Sequence, residues 1–326
     1  MTKLIICTIL SAFLFSCNNS NNGLSEADNP ETSDNRETAD NPETSDSSEV
    51  PQRNGDIHQV PNIDYNNIEG IIDAVSFEHR QVGEYTEDMF DDDFESNWIN
   101  ISGKAAIRDE NGTNELAVTA PKGVYKKGIH STVRLPEYNE LYFSYQVRFD
   151  KNFDFKMGGK LPGLAAFVFP NDNKTPDGCN SNYKNAPVDS GFSLRSMFRE
   201  GGRATGYFYH QDNPRNSGDG CGERIDYRHQ GETLYFKREK TYLIEQYVKM
   251  NDPHTANGIV VIHVNGYKVL ERTNMTFSES GLYGINYRFF YMWHGGNSSS
   301  WAPSVDSTAY FNHIVMSEEP VSYSKK

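Results

Sequence analysis

GFSLRSMFREGGRATGYFYH, residues 191–210, predicts a β-hairpin, and the rest of the interpretation starts from it. Residues 191–199 and 204–210 have the composition of strands. The sequence Glu200-Gly201-Gly202 between them is typical of a three-residue hairpin turn. We therefore expect two antiparallel strands whose register is set by that turn.

One face of this hairpin carries the polar side chains. If Arg199 pairs with Arg203, then Arg195 lies opposite Tyr207 and Ser193 lies opposite Tyr209. All of these side chains then share a face, because side chains alternate along a strand. A two-residue turn would instead move one strand's set to the other face. The opposite face is predicted to fill a core with Phe192, Leu194, Phe198 and Phe208.

The first residues are typical of an export signal. Lys3 precedes the short apolar run 4–15, which is too short to span a membrane as a stable helix. Residues 14–17 (Leu-Phe-Ser-Cys) resemble a bacterial lipobox, which predicts removal of residues 1–16 and lipidation of Cys17. Ordinary secretory cleavage nearby and an uncleaved anchor are the alternatives.

Residues 17–56 are predicted to be a disordered acidic tether. Ala-Asp-Asn-Pro-Glu-Thr-Ser-Asp occurs at 27–34 and again at 39–46, and large apolar side chains are scarce. The whole chain has a formal net charge of −14, yet residues 151–203 carry eight Lys or Arg against five acids. A basic stretch in an acidic chain suits an anionic ligand, whereas nucleic-acid binding normally brings a basic whole domain.

Four cysteines are present. Cys7 leaves with the signal and Cys17 takes the lipid, so Cys179 and Cys221 remain as a pair in an exported chain. We predict a disulfide between them. A metal site is the weaker interpretation, because neither has a CxxC spacing or a nearby pair of histidines.

Residues 57–326 are predicted to form one all-β domain, a jelly roll or two-sheet antiparallel sandwich. Within 57–95 we expect a short helix near 67–74 and an edge strand. The predicted strands are punctuated by Gly, Asn and Pro, with an Asn265-Gly266 hairpin turn as the strongest signal. They cover 141–149, 242–249, 259–264, 267–270, 282–293 and 308–316.

A second informative segment is Gly158-Gly159-Lys160-Leu161-Pro162-Gly163-Leu164. Its glycines and proline indicate a constrained, Gly-rich turn that displays Lys160. Taken alone, a lysine in such a turn is usually a solvated surface residue.

Three motifs together resemble polysaccharide lyase family 14. They are the Gly-Gly-Lys-Leu-Pro-Gly-Leu segment, a Ser-x-Arg followed after eleven residues by Tyr-x-Tyr, and the C-terminal run from Gly295-Gly296 through 301–303 to 310–311. The resemblance covers roughly residues 130–317. It implies a β-jelly roll that cleaves alginate or glucuronan by β-elimination. It matches the family's catalytic lysine to Lys160 and the family's Ser, Arg and two Tyr to the hairpin face.

The sequence departs from the family in two places. The segment between Lys160 and Ser193 is longer than usual and contains Cys179, and His294 stands where an aromatic residue is expected. Both departures bear on substrate range more than on the type of reaction.

The residue types suit this chemistry. The proton alpha to a charged carboxylate is very weakly acidic, so a cation must offset that charge first. Arg195 has the fixed cationic fork for this, and Ser193 adds a hydrogen bond. Lys160, Tyr207 and Tyr209 are the candidates for the base and the acid. The sequence leaves their roles open, although we favour Lys160 as base or neutraliser and one tyrosine as acid.

The remaining expectations concern ligands and location. Arg199, Arg203 and His210 are predicted to bind substrate. No metal cofactor is required, because Arg195 and Lys160 supply the positive charge. We expect a monomer that binds an anionic polysaccharide, touches the membrane only through its lipid, and lies at the outer membrane or surface of a bacterium. Two alternatives are a non-catalytic glycan-binding lipoprotein, whose tyrosines would only stack on sugar rings, and a glycoside hydrolase.

Overall fold

β-Strands make up most of the part of the chain that a computed structural model describes, which is residues 56–167, 191–210 and 222–322. In chain order the elements of that part are β1 Ile71–Val75, β2 Gly83–Glu84, α1 Glu87–Phe94, β3 Trp98–Ile101, β4 Lys104–Glu110, β5 Thr113–Ala120, β6 Gly128–Tyr138, β7 Glu140–Phe149, β8 Gly158–Phe167, β9 Gly191–Arg199, β10 Ala204–Tyr209, β11 Glu223–Asp226, β12 Arg228–His229, β13 Glu232–Thr233, β14 Thr241–Lys249, β15 Gly258–Val264, β16 Tyr267–Met275, β17 Ile285–His294 and β18 Ser307–Ser317. Single 3₁₀ turns occur at Glu200–Gly202 and Ser299–Trp301.

Two antiparallel sheets pack face to face. Among the described residues, one sheet has nine strands in the order β16-β15-β14-β7-β18-β5-β4-β2, with β1 added beside β18. The other has seven strands in the order β11-β10-β9-β8-β17-β6-β3, and β12 and β13 form a small separate pair. The predicted all-β, two-sheet antiparallel sandwich is therefore confirmed.

The main core lies between these sheets. β7 contributes alternate buried side chains from the nine-stranded sheet, and β9 contributes Leu194 and Phe198 from the seven-stranded sheet. A second, smaller cluster lies on the other face of the seven-stranded sheet. Its members are Ala165, Phe167, Tyr287, Phe289 and Tyr291, with Trp293 packed against them. We call this second face, which points away from the core, the site face.

The helix expected near 67–74 is wrong. Ile71–Val75 is strand β1, as its β-branched residues favour. The helix is instead Glu87–Phe94, where the Thr86 side chain accepts a hydrogen bond from the Met89 N–H and acids occupy the first turn. The expected edge strand is present as β2. In the part that the structure describes, no helix is long and apolar enough to cross a membrane.

The prediction of a turn around Lys160 is also wrong, because Gly158–Phe167 is a buried central strand. Pro162 is tolerated there because the pairing of β8 shifts register between Lys160 and Gly163 on one side and opposite residues 289–293 on the other. Such a bulge re-aims side chains. It places Lys160 on the site face together with Ala165, while the next residues, Leu161 and Leu164, enter the core.

Candidate active site

The hairpin that positions the site has the predicted register. The Arg199 N–H donates to the Arg203 carbonyl at 2.8 Å across the turn. Tyr207 pairs with Arg195, and Tyr209 pairs with Ser193. The turn residue Gly201 has φ 68°, a conformation that glycine adopts without strain. Because the turn has three residues, Ser193, Arg195, Tyr207 and Tyr209 share one face.

Lys160 joins them from the neighbouring strand. It pairs with Met197 of β9, and its Nζ donates to Met197 Sδ at 3.1 Å. The same Nζ lies 3.7 Å from the centre of the Tyr207 ring. Only 8% of Lys160 is exposed, so the structure brings it into the site as a buried amine rather than a solvated one.

The surroundings of Lys160 favour its neutral form. Burial is the main cause that lowers its pKa well below the usual 10.5, and the positive charges of Arg195, Arg199 and Arg224 lower it further. The residue is thus suited to accept a proton at a pH where an exposed lysine cannot.

Arg195 lies on the floor of the site. It is 3% exposed, and its Nε and Nη2 are enclosed and have no hydrogen-bond partner among the described residues. Aromatic rings surround its guanidinium, with the centres of Tyr209, Tyr207, Tyr291 and Phe289 at 5.2, 5.5, 5.8 and 5.9 Å. A buried cation in such a place is stabilised by an anion that fits its fork.

The two tyrosines form a short hydrogen-bonded pair. Tyr209 donates its hydroxyl proton to the Tyr207 hydroxyl at 3.0 Å, and their rings meet edge to face. Tyr207 therefore accepts from Tyr209 and keeps its own proton to give away. Ser193 lies beside Tyr209 and is buried.

Arg199 and Arg203 lie at the turn end of the hairpin. The Arg199 guanidinium stacks 5.1 Å from the Trp301 ring, and its pKa is lowered to about 10 by burial and by the charges of Arg224 and Arg203. Arg203 is 40% exposed and forms an ion pair with Asp226 at 3.4 Å. Both are close enough to the site to attract an anion, but Arg203 already has a carboxylate partner.

His210 is not brought together with the tyrosines. It shares the side of β10 that carries Phe208, and its Nε2 contacts Glu223 at 2.7 Å. Glu223 also binds Arg272 of the other sheet at 3.0 Å. Although burial opposes it, the hydrogen bond with His210 and the charge of Arg272 lower the pKa of Glu223 to about 2. This network ties the sheets together at their edge, so a contact of His210 with substrate stays a prediction.

His294, the residue that departs from the family pattern, lies in the core. Its ring packs between Phe153 and Phe198 at 5.2 and 5.0 Å, and its Nε2 contacts the Asp154 carbonyl at 2.6 Å. Burial lowers its pKa to about 4, so the ring is neutral and packs as an aromatic residue would. The departure leaves the site face itself unchanged.

Sequence reasoning missed a row of aromatic residues beside Lys160. Strand β17 places alternate residues on the site face, and all of them are aromatic: Tyr287, Phe289, Tyr291 and Trp293. The alternation was visible as Tyr-Arg-Phe-Phe-Tyr-Met-Trp at 287–293, but it was read only as a strand. Met197 and Arg224, the register partners of Lys160 and Tyr207, were missed as well.

Several predictions lie outside the described residues. The signal peptide, Cys17 with its tether, and the proposed pair Cys179 and Cys221 all belong to this group, so lipidation and the disulfide stay predictions. Within the described ranges, no three His, Cys, Asp or Glu side chains cluster as metal ligands would.

Comparison with known structures gives a consistent fold. A doubly substituted variant of alginate lyase Aly36B in complex with an alginate trisaccharide matches with a TM-score of 0.62 and 23% identity, over 76% of this chain and 98% of that one. The PL-14 alginate lyase from Aplysia kurodai matches with a TM-score of 0.60 and 22% identity, over 76% and 98%. Alginate lyase vAL-1 from Chlorella virus matches with a TM-score of 0.55 and 20% identity, over 69% and 92%. No curated protein sequence matches significantly.

The family model for Polysaccharide lyase 14 matches residues 108–314, which is more than half of the chain and includes every site-face residue described above. The match places the protein among the polysaccharide lyases. Within that class, the chain belongs to polysaccharide lyase family 14, and the resemblance that the motifs indicated is confirmed.

Proposed function

We propose that the protein cleaves a 1,4-linked polyuronate by β-elimination, with alginate as the first candidate substrate and glucuronan as the second. The observation that carries the proposal is the enclosed guanidinium of Arg195, which has two unpartnered nitrogens next to the deprotonation-prone amine of Lys160. A uronate carboxylate supplies the missing anion and brings its C5 proton to the base. The alginate lyases that share this fold support the choice of alginate as first candidate.

In this mechanism each group has one task. Arg195 offsets the carboxylate charge, which makes the C5–H bond acidic enough to break. Lys160 Nζ takes that proton, the electrons form a C4=C5 double bond, and the C4–O4 bond breaks. Tyr207 gives its proton to the departing O4 and is well placed to recover one from Tyr209, which donates to it.

The test is to follow the ultraviolet absorbance of the new conjugated double bond while the protein acts on polymannuronate, polyguluronate or glucuronan. We expect absorbance to rise with at least one polymer, and that polymer identifies the substrate. Binding to a polyuronate without any rise in absorbance would favour the glycan-binding alternative.

Tyr207→Phe is expected to lower kcat by about 10²-fold, because the departing oxygen loses its proton donor. Tyr209→Phe is the matched comparison, and we expect a smaller loss because its hydroxyl acts through Tyr207. Initial rates of absorbance change measure both. A larger loss for Tyr209→Phe would assign the acid to Tyr209 instead.

The rate is expected to rise with pH along a limb that lies below pH 10.5. Lys160 must be unprotonated to accept the C5 proton, and its pKa is lowered by burial and by nearby arginines. Arg224→Gln removes one of these charges, which raises the pKa of Lys160 and moves the limb to higher pH. Profiles of kcat against pH for the two proteins test this. An unmoved limb would show that a different group is the base.

A further inference from the structure

A second feature of the site face lies across β8 from Arg195. β8 is flanked by β9, which carries Arg195, and by β17, where Trp293 is the direct register partner of Lys160. Neighbouring strands are about 4.8 Å apart. Trp293 is therefore one strand away from the proposed base, on the side opposite to the carboxylate-binding arginine.

The Trp293 ring is held in place from two sides. A side chain at Gly295 would overlap the ring, with Cβ only 2.6 Å from its Cζ3, so the ring lies directly against the Gly295 backbone. The His130 ring packs 4.8 Å away at 33°. Trp293 remains partly exposed at the end of an otherwise buried aromatic row, which leaves it a fixed apolar surface.

The polar atoms of this pair have no protein partner. Trp293 Nε1 and His130 Nε2 make no hydrogen bond within the described residues. Burial, with the charges of Lys127 and Lys126, lowers the pKa of His130 to about 4, so its ring is neutral at ordinary pH. A neutral imidazole and an indole N–H are suited to hydroxyl groups, and the two lysines add positive charge beside them.

We propose that Trp293 and His130 form a sugar-binding subsite that holds the uronate ring next to the one acted on by Lys160. The ring stacks on Trp293, a hydroxyl group pairs with the free nitrogens, and Lys126 and Lys127 favour a negatively charged sugar. Arg195 then binds the carboxylate of the reacting residue on one side of β8, and the aromatic subsite binds its neighbour on the other. This inference rests on the proposed function.

The test uses tryptophan fluorescence, because the chain contains only three tryptophans. In full-length Lys160→Met, which binds without turnover, tetrasaccharides of mannuronate, guluronate and glucuronate are titrated and the emission is followed. We expect an emission change that disappears when Trp293→Phe is added, while the Kd stays within about threefold because phenylalanine keeps an aromatic face. Adding Trp293→Ala instead is expected to raise the Kd about five- to tenfold.

Trp301→Phe is the matched control, since Trp301 lies over Arg199 at the other end of the site. It is expected to keep the emission change. An emission change that survives Trp293→Phe and disappears with Trp301→Phe would overturn the proposal, as would an unchanged Kd in the Trp293→Ala protein. If no tetrasaccharide binds and the wild-type protein cleaves no polymer, the proposed function fails as well. Cleavage with normal KM in Trp293→Ala would leave the proposed function intact and reject the subsite alone.

Discussion

Lys160→Met is expected to reduce turnover by about 10²–10⁴-fold, the range that a general base contributes. Methionine has a similar length and apolar character but cannot accept a proton. The absorbance assay measures the loss. Lys151→Met makes the same exchange at an exposed lysine and is expected to keep the wild-type rate.

The same substitution is expected to stabilise the fold. Because the pKa of Lys160 is lowered in the folded protein, the unfolded chain binds more protons below pH 10.5, and the lysine costs stability there. Lys160→Met should raise the free energy of unfolding by about 1–3 kcal/mol at neutral pH. The gain should shrink as the pH rises past 10.5, where the amine is neutral in both states. Urea unfolding at several pH values measures it, and a destabilised Lys160→Met protein at neutral pH would contradict the burial argument.

Lys160→Arg separates the two roles that the sequence left open for Lys160. Arginine keeps a positive charge but does not lose its proton in proteins. If Lys160 is the base, Lys160→Arg is as inactive as Lys160→Met. If Lys160 only neutralises the carboxylate, Lys160→Arg retains much of the rate.

Arg195→Met is expected to lower kcat by about 10²–10³-fold, because nothing then offsets the charge that develops on the carboxylate. Arg195→Lys should recover little, since a point charge cannot reproduce the two-pronged contact of a guanidinium. Values of kcat and KM for each variant test this, with Arg108→Met at an exposed position of the other sheet as the control. Wild-type kcat in Arg195→Met would remove Arg195 from the mechanism.

The hairpin could be predicted because its information is local. The glycines of the turn and the alternation of side chains fix which residues face each other, so the relation of Arg195 to Tyr207 follows from a few adjacent residues. Lys160 could be selected from its motif, but its setting could not be predicted. Gly and Pro favour turns on average, and only pairing with strands on both sides makes Gly158–Phe167 a central strand.

The aromatic row was missed for a related reason. Alternating aromatic residues indicate a strand, but the sequence does not say which sheet face is the core. In β17 both faces are largely buried, and the second cluster becomes visible only when β8 and β9 lie beside it. The helix was misplaced because the Ile71-Ile72 pair was favoured over the capping signal of Thr86 followed by two acids.

The most direct test of the central claim is to let the protein digest its polyuronate in water enriched in the heavy oxygen isotope and to weigh the products by mass spectrometry. Elimination adds no water across the broken bond. We therefore predict unsaturated products that carry no heavy oxygen and whose ultraviolet absorbance rises in step with cleavage. Saturated products that carry one heavy oxygen at each new end would mean hydrolysis and would contradict the account.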